Sequence, residues 1–496
     1  MDILRGDRLG KPAAEVSDYT TSIAADVNIV KPVIEINKAH VVMLVEQGIV
    51  AESDGALLLN ALNKLDPNMK LDPSLEDVHM NIEAEITKMV GENIGGKLHT
   101  AKSRNDQVAT AIRITLRQYL LEITKNLITL RRELLKRCTE HLNTIMPGYT
   151  HLQHAQPVTL AHHLLAYHDA IERDTKRLMN SYQCVNLCPM GAAALATTGY
   201  DINRIRVAKL LGFDGLLENS IDAVSSRDFA VEAIAAMALS MTDFSRIAEE
   251  LILWSSVEFA TAEIPDEYAS ASSIMPQKKN PVVPELIRAK TTHVYGDLIA
   301  AFTILKALPL SYNLDLQELT PHLWNTCQIT FNSTRMLTGL IQKTGFNAPR
   351  WLELVSRDFS TATELADILV RKFNIPFRMA HRVIGVLVQR LSSEGKTLRD
   401  TTPKLLAETF LRATGKRLAV KPSDIAEALD PIRSVKSKTV QGCPSPSEVA
   451  RMAKERRKQI TADEVGLRKK THSLKKAELK LREAAEGLSK HALQKP

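Results

Sequence analysis

The sequence predicts an all-α protein centred on a bundle of long helices, and three observations carry that expectation. Neither glycine nor proline occurs between Gly96 and Pro147, between Pro157 and Pro189, or between Gly215 and Pro265. These two residues punctuate helices most strongly, so each gap holds a long helical stretch. Within the first gap Ile112, Leu116, Tyr119, Leu120, Ile123, Leu127 and Leu130 recur at three- and four-residue steps. That is the apolar stripe of a helix with one buried face. Alternating β-branched runs, the mark of strands, are scarce.

Taken in order, the segment around Asn60-Ala61-Leu62-Asn63-Lys64-Leu65 reads as helical within a first region, 1–102. A second region, 103–350, holds the long helices and opens at Ser103, an N-cap residue by type. A third region of shorter helices, 351–455, includes one opening at Thr361-Ala362-Thr363-Glu364-Leu365-Ala366-Asp367. The tail, 456–496, is rich in lysine and arginine. Its Leu467, Leu474, Leu481 and Leu488 fall seven apart and would lie on one side of a helix. No second apolar position accompanies them. A coiled coil, an amphipathic helix docked on its own chain and a mobile tail therefore all stay open.

Net charge is +7, from 64 Lys+Arg against 57 Asp+Glu. From Arg451 onward there are 14 basic and 6 acidic residues, a net of +8, so the first 450 residues carry 7 − 8 = −1. The excess charge belongs to an appendage, which lacks the interleaved aromatics of a single-strand binder; nucleic acid is not expected as a partner. There is no apolar run of 18 residues and no apolar N-terminal segment, so neither a membrane span nor a secretory signal is expected. Five scattered cysteines, an odd number, suit a reducing cytoplasm. Cys184 and Cys188 could share a helix face, but nothing nearby completes a metal site, and two packed thiols are expected. No nucleotide loop or metal cluster is seen, so no cofactor is expected.

Seven segments carry chemistry. Ser272-Ser273-Ile274-Met275-Pro276-Gln277-Lys278-Lys279-Asn280-Pro281 is small, polar, cationic and closed by Asn-Pro, within a loop near 269–285. A serine there could be held as an alkoxide beside Lys278, because positive charge lowers its pKa. Asn280 adds an uncharged donor. Gly148-Tyr149-Thr150-His151-Leu152-Gln153-His154-Ala155-Gln156-Pro157 gathers uncharged donors, Thr150 among them, and an acid/base imidazole at what reads as a helix boundary. His154, His162 and His163 are assigned structural roles. In Leu98-His99-Thr100-Ala101-Lys102-Ser103-Arg104-Asn105-Asp106-Gln107, Arg104 and Asn105 can bind a carboxylate with free N–H groups at a helix start; capping alone is the alternative. Glu76-Asp77-Val78-His79-Met80 and Ser225-Ser226-Arg227-Asp228-Phe229 offer Asp77, His79 and Arg227, against a charged helix start and a buried Arg–Asp pair. Ser311-Tyr312-Asn313-Leu314-Asp315-Leu316-Gln317-Glu318 offers Tyr312 and Gln317. Near the N-terminus Ser22 and Asp26, four apart, would face one way on a helix.

These segments, in this order, resemble the fumarase/aspartase superfamily, and the run Met275–Pro281 with Ser103–Gln107 and Tyr312–Glu318 is most similar to its argininosuccinate lyase family. The resemblance covers roughly residues 1–450. It implies a homotetramer with a shared central helix bundle, each active site being built from three subunits. It further implies that Ser272 removes the Cβ proton of argininosuccinate and that Lys278 and Asn280 stabilise the aci-carboxylate. His151, oriented by Glu285, would protonate the departing nitrogen, giving arginine and fumarate. Ser22, Asp26, Asp77, His79, Ser103, Arg104, Asn105, Thr150, Arg227, Tyr312 and Gln317 would hold substrate. The chain departs from the family pattern at Ala101, at Lys102 and at Thr320, where many members place a substrate-contacting lysine. A sister lyase with adenylosuccinate, fumarate or aspartate as substrate, and a non-catalytic protein like the lens δ-crystallins, are the competing readings.

Overall fold

The computed structural model describes residues 13–491. The N-terminal part comprises α1 (Ala14–Thr20), α2 (Ile23–Asp26), α3 (Val30–Glu46), α4 (Glu52–Lys64), α5 (Val78–Val90) and α6 (Glu92–Gly95). Then come α7 (Arg104–Glu140), α8 (Leu160–Val185), the short α9 (Arg204–Leu210) and α10 (Ser220–Ser225), α11 (Asp228–Ser255), α12 (Val282–Leu305) and α13 (Asp315–Lys343). The five long members, α7, α8, α11, α12 and α13, pack side by side as a bundle. α7 alone has 37 residues and runs about 55 Å at 1.5 Å per residue. It starts at a capping box: the Ser103 side chain and the Asp106 side chain each accept a backbone N–H from the other's end of the turn. The expected stripe Ile112, Leu116, Leu120, Ile123, Leu127 and Leu130 is buried. The N-terminal helices and the bundle share one continuous apolar core, from Ile29 to Trp351.

Two features of the bundle bear on function. α7 buries three arginines, Arg113, Arg117 and Arg131, among its apolar residues. α12 is apolar on two sides: Ile287, Val294 and Ala301 are buried, whereas Leu286, Tyr295, Ile299 and Phe302 are exposed. An exposed row of large apolar residues of this kind marks a surface that another chain can cover.

The segment around His151 is not a helix boundary. β1 (Ile145–Thr150) and β2 (Gln153–Thr159) form an antiparallel hairpin with Thr150 opposite Gln153 and Pro147 opposite Pro157. Its two turn residues, His151 and Leu152, have φ of 55° and 57°. A two-residue turn with both φ positive matches strand twist and usually takes Asn-Gly, which is why His-Leu gave no hairpin signal. Cys184 and Cys188 share no helix face either. α8 ends at Val185, Cys184 is exposed and Cys188 is buried.

After the bundle come α14 (Ala348–Ser356), α15 (Ala362–Phe373), α16 (Phe377–Ser393), α17 (Pro403–Thr414), α18 (Pro422–Leu429) and α19 (Pro431–Lys436). Residues from Leu365 to Ala428 build a separate apolar core. The described part of the tail is helical: α20 (Pro446–His491) lies along α7, α3 and α4. Leu481 is buried and Leu467, Leu474 and Leu488 are half-buried against the main core. No helix among the described residues is long and apolar enough to cross a membrane.

Candidate active site

One cavity of about 160 Å³ collects residues from five separated stretches of sequence. Ser22 and Asp26 come from the start and end of α2, Asp77 and His79 from the start of α5, and Arg104 and Asn105 from the start of α7. Arg227 caps the start of α11, and Tyr312, Gln317 and Thr320 surround the start of α13. The N-terminal ends of α5, α7, α11 and α13 therefore converge here. Helix N-termini carry partial positive charge and free N–H groups, so the cavity is built to receive anionic groups.

Its side chains divide by charge. Ser22 Oγ donates to Asp26 Oδ2 at 2.7 Å, and Val78 N–H donates to the same oxygen at 3.1 Å. Burial nevertheless pushes Asp26 up to about 6. Asp77 caps α5, accepting from Met80 N–H at 2.8 Å, and accepts from Arg104 Nη1 at 2.6 Å. Burial acts to raise the Asp77 carboxyl, but His79, Arg104 and these hydrogen bonds outweigh it and hold it low. His79 is buried with no partner on either ring nitrogen among the described residues, and burial holds it down to about 4, a neutral imidazole. Arg227 is 2% exposed; Nη1 donates to the carbonyls of Ser226 (2.8 Å) and Val224 (3.3 Å), and Nε has no partner. Among the described residues no carboxylate pairs with Arg227, so the buried Arg–Asp alternative is not what they show. Tyr312 stands beside it, its hydroxyl pKa raised by burial. Gln317 donates from Nε2 to the Thr20 carbonyl at 3.0 Å.

This arrangement fixes a pH dependence. Above about 6 Asp26 is ionised and attracts a cationic group; below it the carboxyl is protonated and the attraction is lost. Ionising Asp26 also lowers folding stability as pH rises from about 4 to about 6, because its folded pKa is raised. Apparent affinity for a cationic ligand is expected to fall up to about tenfold per pH unit below 6. Asp26→Asn is expected to flatten that profile. KM measured from pH 5 to 8 on both proteins checks this; parallel profiles would contradict it.

The other candidates lie outside the cavity. Ser103 is spent on capping, its Oγ accepting from Asn105 N–H at 3.3 Å. Thr150 and His151 are exposed at the hairpin tip. Ser272 opens a seven-residue loop between two-residue strands that pair Ser270 with Asn280 and Ala271 with Lys279. Ser272 Oγ accepts from Met275 N–H (3.0 Å) and Ile274 N–H (3.3 Å). The paired lysines behave differently. Lys279 bonds Asp266 at 2.6 Å and reaches Glu263 at 3.5 Å, whereas Lys278 is exposed and makes no ion pair among the described residues. Glu285, on the first turn of α12, is exposed and not bonded to His151 within the subunit. His154 pairs with Asp358 and His163 with Glu250, structural roles for both.

Several residues at the site escaped sequence reasoning. Val108 and Ile112 line the cavity, three and seven residues beyond Asn105 on one face of α7, and Glu76, Leu314 and Leu316 join them. Asp106, fully buried, accepts from the N–H groups of Ser103 (3.0 Å), Gly191 (2.9 Å) and Ala193 (2.8 Å), anchoring the loop whose Ala194 carbonyl holds Asn105 Nδ2. The Ser-x-x-Asp capping spacing was its signal. Lys102 is buried against Asn37 and does not line the cavity. Only one group among the described residues, His168, Asp169 and Glu172, brings His and carboxylate atoms close enough to share an ion. There Arg456 already bonds both Asp169 oxygens at 2.6 Å.

Comparison with known proteins places this geometry. Residues 16–296 match the family model described as lyase, and 359–436 match that of the argininosuccinate lyase C-terminal region. The argininosuccinate lyase of Methanocaldococcus jannaschii is 46% identical over 481 residues, covering 96% of this chain and 98% of that protein. That of Methanococcoides burtonii is 46% identical over 462 residues, 92% and 93% of the two chains. With 96% covered, about 20 residues of 496 stay unmatched, fewer than the 41 of the segment 456–496. The likeness therefore extends into the tail, beyond the limit near 450 that the motifs suggested. An EDDS lyase variant solved with bound fumarate superposes with a TM-score of 0.88, 31% identity and 98% of both chains. A class II fumarase from Schistosoma mansoni shares the fold, with a TM-score of 0.71, 17% identity and 84% and 94% of the chains covered. On these matches, and with that fold around a cavity of converging helix N-termini, the chain belongs to the argininosuccinate lyase family.

Proposed function

We propose that this chain eliminates fumarate from argininosuccinate to release arginine, acting as a cytoplasmic homotetramer. The observation that carries the substrate reading is the cavity. Asp26, Glu76 and Asp77 line it together with Arg227, a buried guanidinium that no carboxylate pairs with among the described residues. Such a site suits the ammonium and carboxylate of an amino-acid half, with Tyr312, Gln317 and Thr320 beside them.

Ser272, as its alkoxide, takes the Cβ proton. The electron pair moves into the adjacent carboxylate, which Lys278 and Asn280 stabilise as the aci form. The pair then returns to form the C=C bond as the C–N bond breaks. The bond's electrons leave on the guanidino nitrogen, which receives a proton from His151, oriented by Glu285. The carboxylate is the electron sink, and the scheme calls for no cofactor. Lys278, Thr150 and His151 are exposed and Ser272 is half-buried on an isolated subunit, and α12 exposes Leu286, Ile299 and Phe302. A tetramer that buries α12 and joins loop, hairpin and cavity from different subunits accounts for both. The five cysteines, all free, support the cytoplasmic setting.

Thr320, buried in the cavity wall in place of a lysine, favours testing related substrates. Purified protein is offered argininosuccinate, adenylosuccinate, malate, aspartate and EDDS, and fumarate absorbance is followed. The highest kcat/KM is expected with argininosuccinate. A higher value with any of the others would replace that reading.

A further inference from the structure

We propose that Arg113 is a positioning residue of the carboxylate subsite, acting on substrate only through Arg227; the inference rests on the lyase reading above. Arg113 is 2% exposed on α7 and does not line the cavity. Its Nη1 donates to the carbonyls of Cys184 (2.8 Å) and Val185 (3.2 Å) at the end of α8. Its Nη2 donates to Ser226 Oγ at 3.3 Å, and the guanidinium carbon lies 3.7 Å from the centre of the Phe229 ring. It forms no ion pair among the described residues.

Ser226 thus joins two buried cations: its hydroxyl accepts from Arg113 and its carbonyl from Arg227. Among the described residues neither guanidinium forms an ion pair, and Asp228 and Asp222 act on Arg113 only at a distance. Two buried cations so placed are expensive unless a counter-charge arrives. Burial, and next the charge of Arg227, lower Arg113 to about 10; burial lowers Arg227 to about 10 as well. Both stay charged at neutral pH. Of the two, only Arg227 reaches the cavity. Arg113 clamps the 224–226 turn to the end of α8, and that turn supplies the carbonyls that aim Arg227. It also adds positive potential behind Arg227, raising the attraction for a carboxylate. A lysine would keep the charge but lose the fork that grips both elements.

The test is a double-mutant cycle on the full-length assembled enzyme, with Arg113→Met, Arg227→Met and the pair. Arg113→Met is expected to raise KM about tenfold with kcat within about twofold, and to change KM less than about twofold once Arg227 is methionine. Arg113→Lys is expected to recover only part of the loss. Effects that multiply in the double variant, full recovery by lysine, or a fall in kcat at constant KM would overturn the proposal. If Arg113→Met does not assemble, Ser226→Ala decides, since it cuts the same link while leaving Arg113 in place. A rise in KM that vanishes in the Arg227→Met background supports the link, and an equal rise in both backgrounds overturns it. A wild-type enzyme without turnover would sink the lyase reading alone; the same cycle would then be read by calorimetric binding of arginine.

Discussion

Replacing Ser272 by alanine is expected to lower kcat by about a hundredfold to ten-thousandfold, the range spanned by loss of a positioned acid or base. The expectation follows from where this serine sits. It lies at the start of an exposed loop, its oxygen bonded only to the N–H groups of Met275 and Ile274. No apolar packing depends on it, so the change in stability should stay within about 0.5 kcal/mol. Lys278, without an ion pair among the described residues, is the charge proposed to hold the alkoxide, because Lys279 is engaged by Asp266 and Glu263. KM should change little, since on the proposed reading substrate is held by the cavity residues. A purified Ser272→Ala protein of native size and melting temperature with near-normal kcat would remove Ser272 from the mechanism.

Truncation after residue 455 is expected to abolish folding rather than trim a tail. α20 places Ile460, Ala477, Leu481 and Ala485 in the apolar cores. It also supplies counter-charges to the body. Arg131, fully buried on α7, is bonded by Asp463 at 2.6 Å and has Glu172 at 3.2 Å. Arg132 pairs with Glu464, and Lys31 reaches Glu478 at 3.4 Å. Removing one partner of a buried ion pair costs about 3–5 kcal/mol. Asp463→Ala is expected near the lower end, since Glu172 remains. Denaturant unfolding of the point variant and solubility of the truncated chain check the claim. A soluble truncated protein with native melting would contradict it.

The tail also shows what sequence can and cannot convey. Leu467, Leu474, Leu481 and Leu488 announced a helix face, but not which surface it would cover. Their partner stripe lies on α3, α4 and α7, hundreds of residues earlier. Asp463 and Glu464 looked like minor members of a basic run, yet they are the groups that meet α7. The bundle itself was legible because long stretches free of glycine and proline and the stripe on α7 are local signals. The hairpin at 145–159 was not, since its turn uses His151 and Leu152 at positive φ and its strands contain paired prolines. At the cavity, nine residues read from motifs meet in one place, because each motif sits at or beside a helix start. Val108, Ile112 and Asp106 were missed for a physical reason. The first two look like core positions of α7, and Asp106 acts through backbone N–H groups of a distant loop.

The position of His151 and Ser272 outside the cavity of their own subunit leads to the central proposal, that the catalytic groups meet across subunits. Two variants, His151→Asn and Ser272→Ala, each expected to be nearly inactive, are mixed, partly unfolded together and reassembled. If the two residues of one site come from different subunits, random assembly restores about a quarter of wild-type fumarate release. If they come from the same subunit every site keeps one defect, and the hybrid stays as inactive as its parents, which would contradict the account.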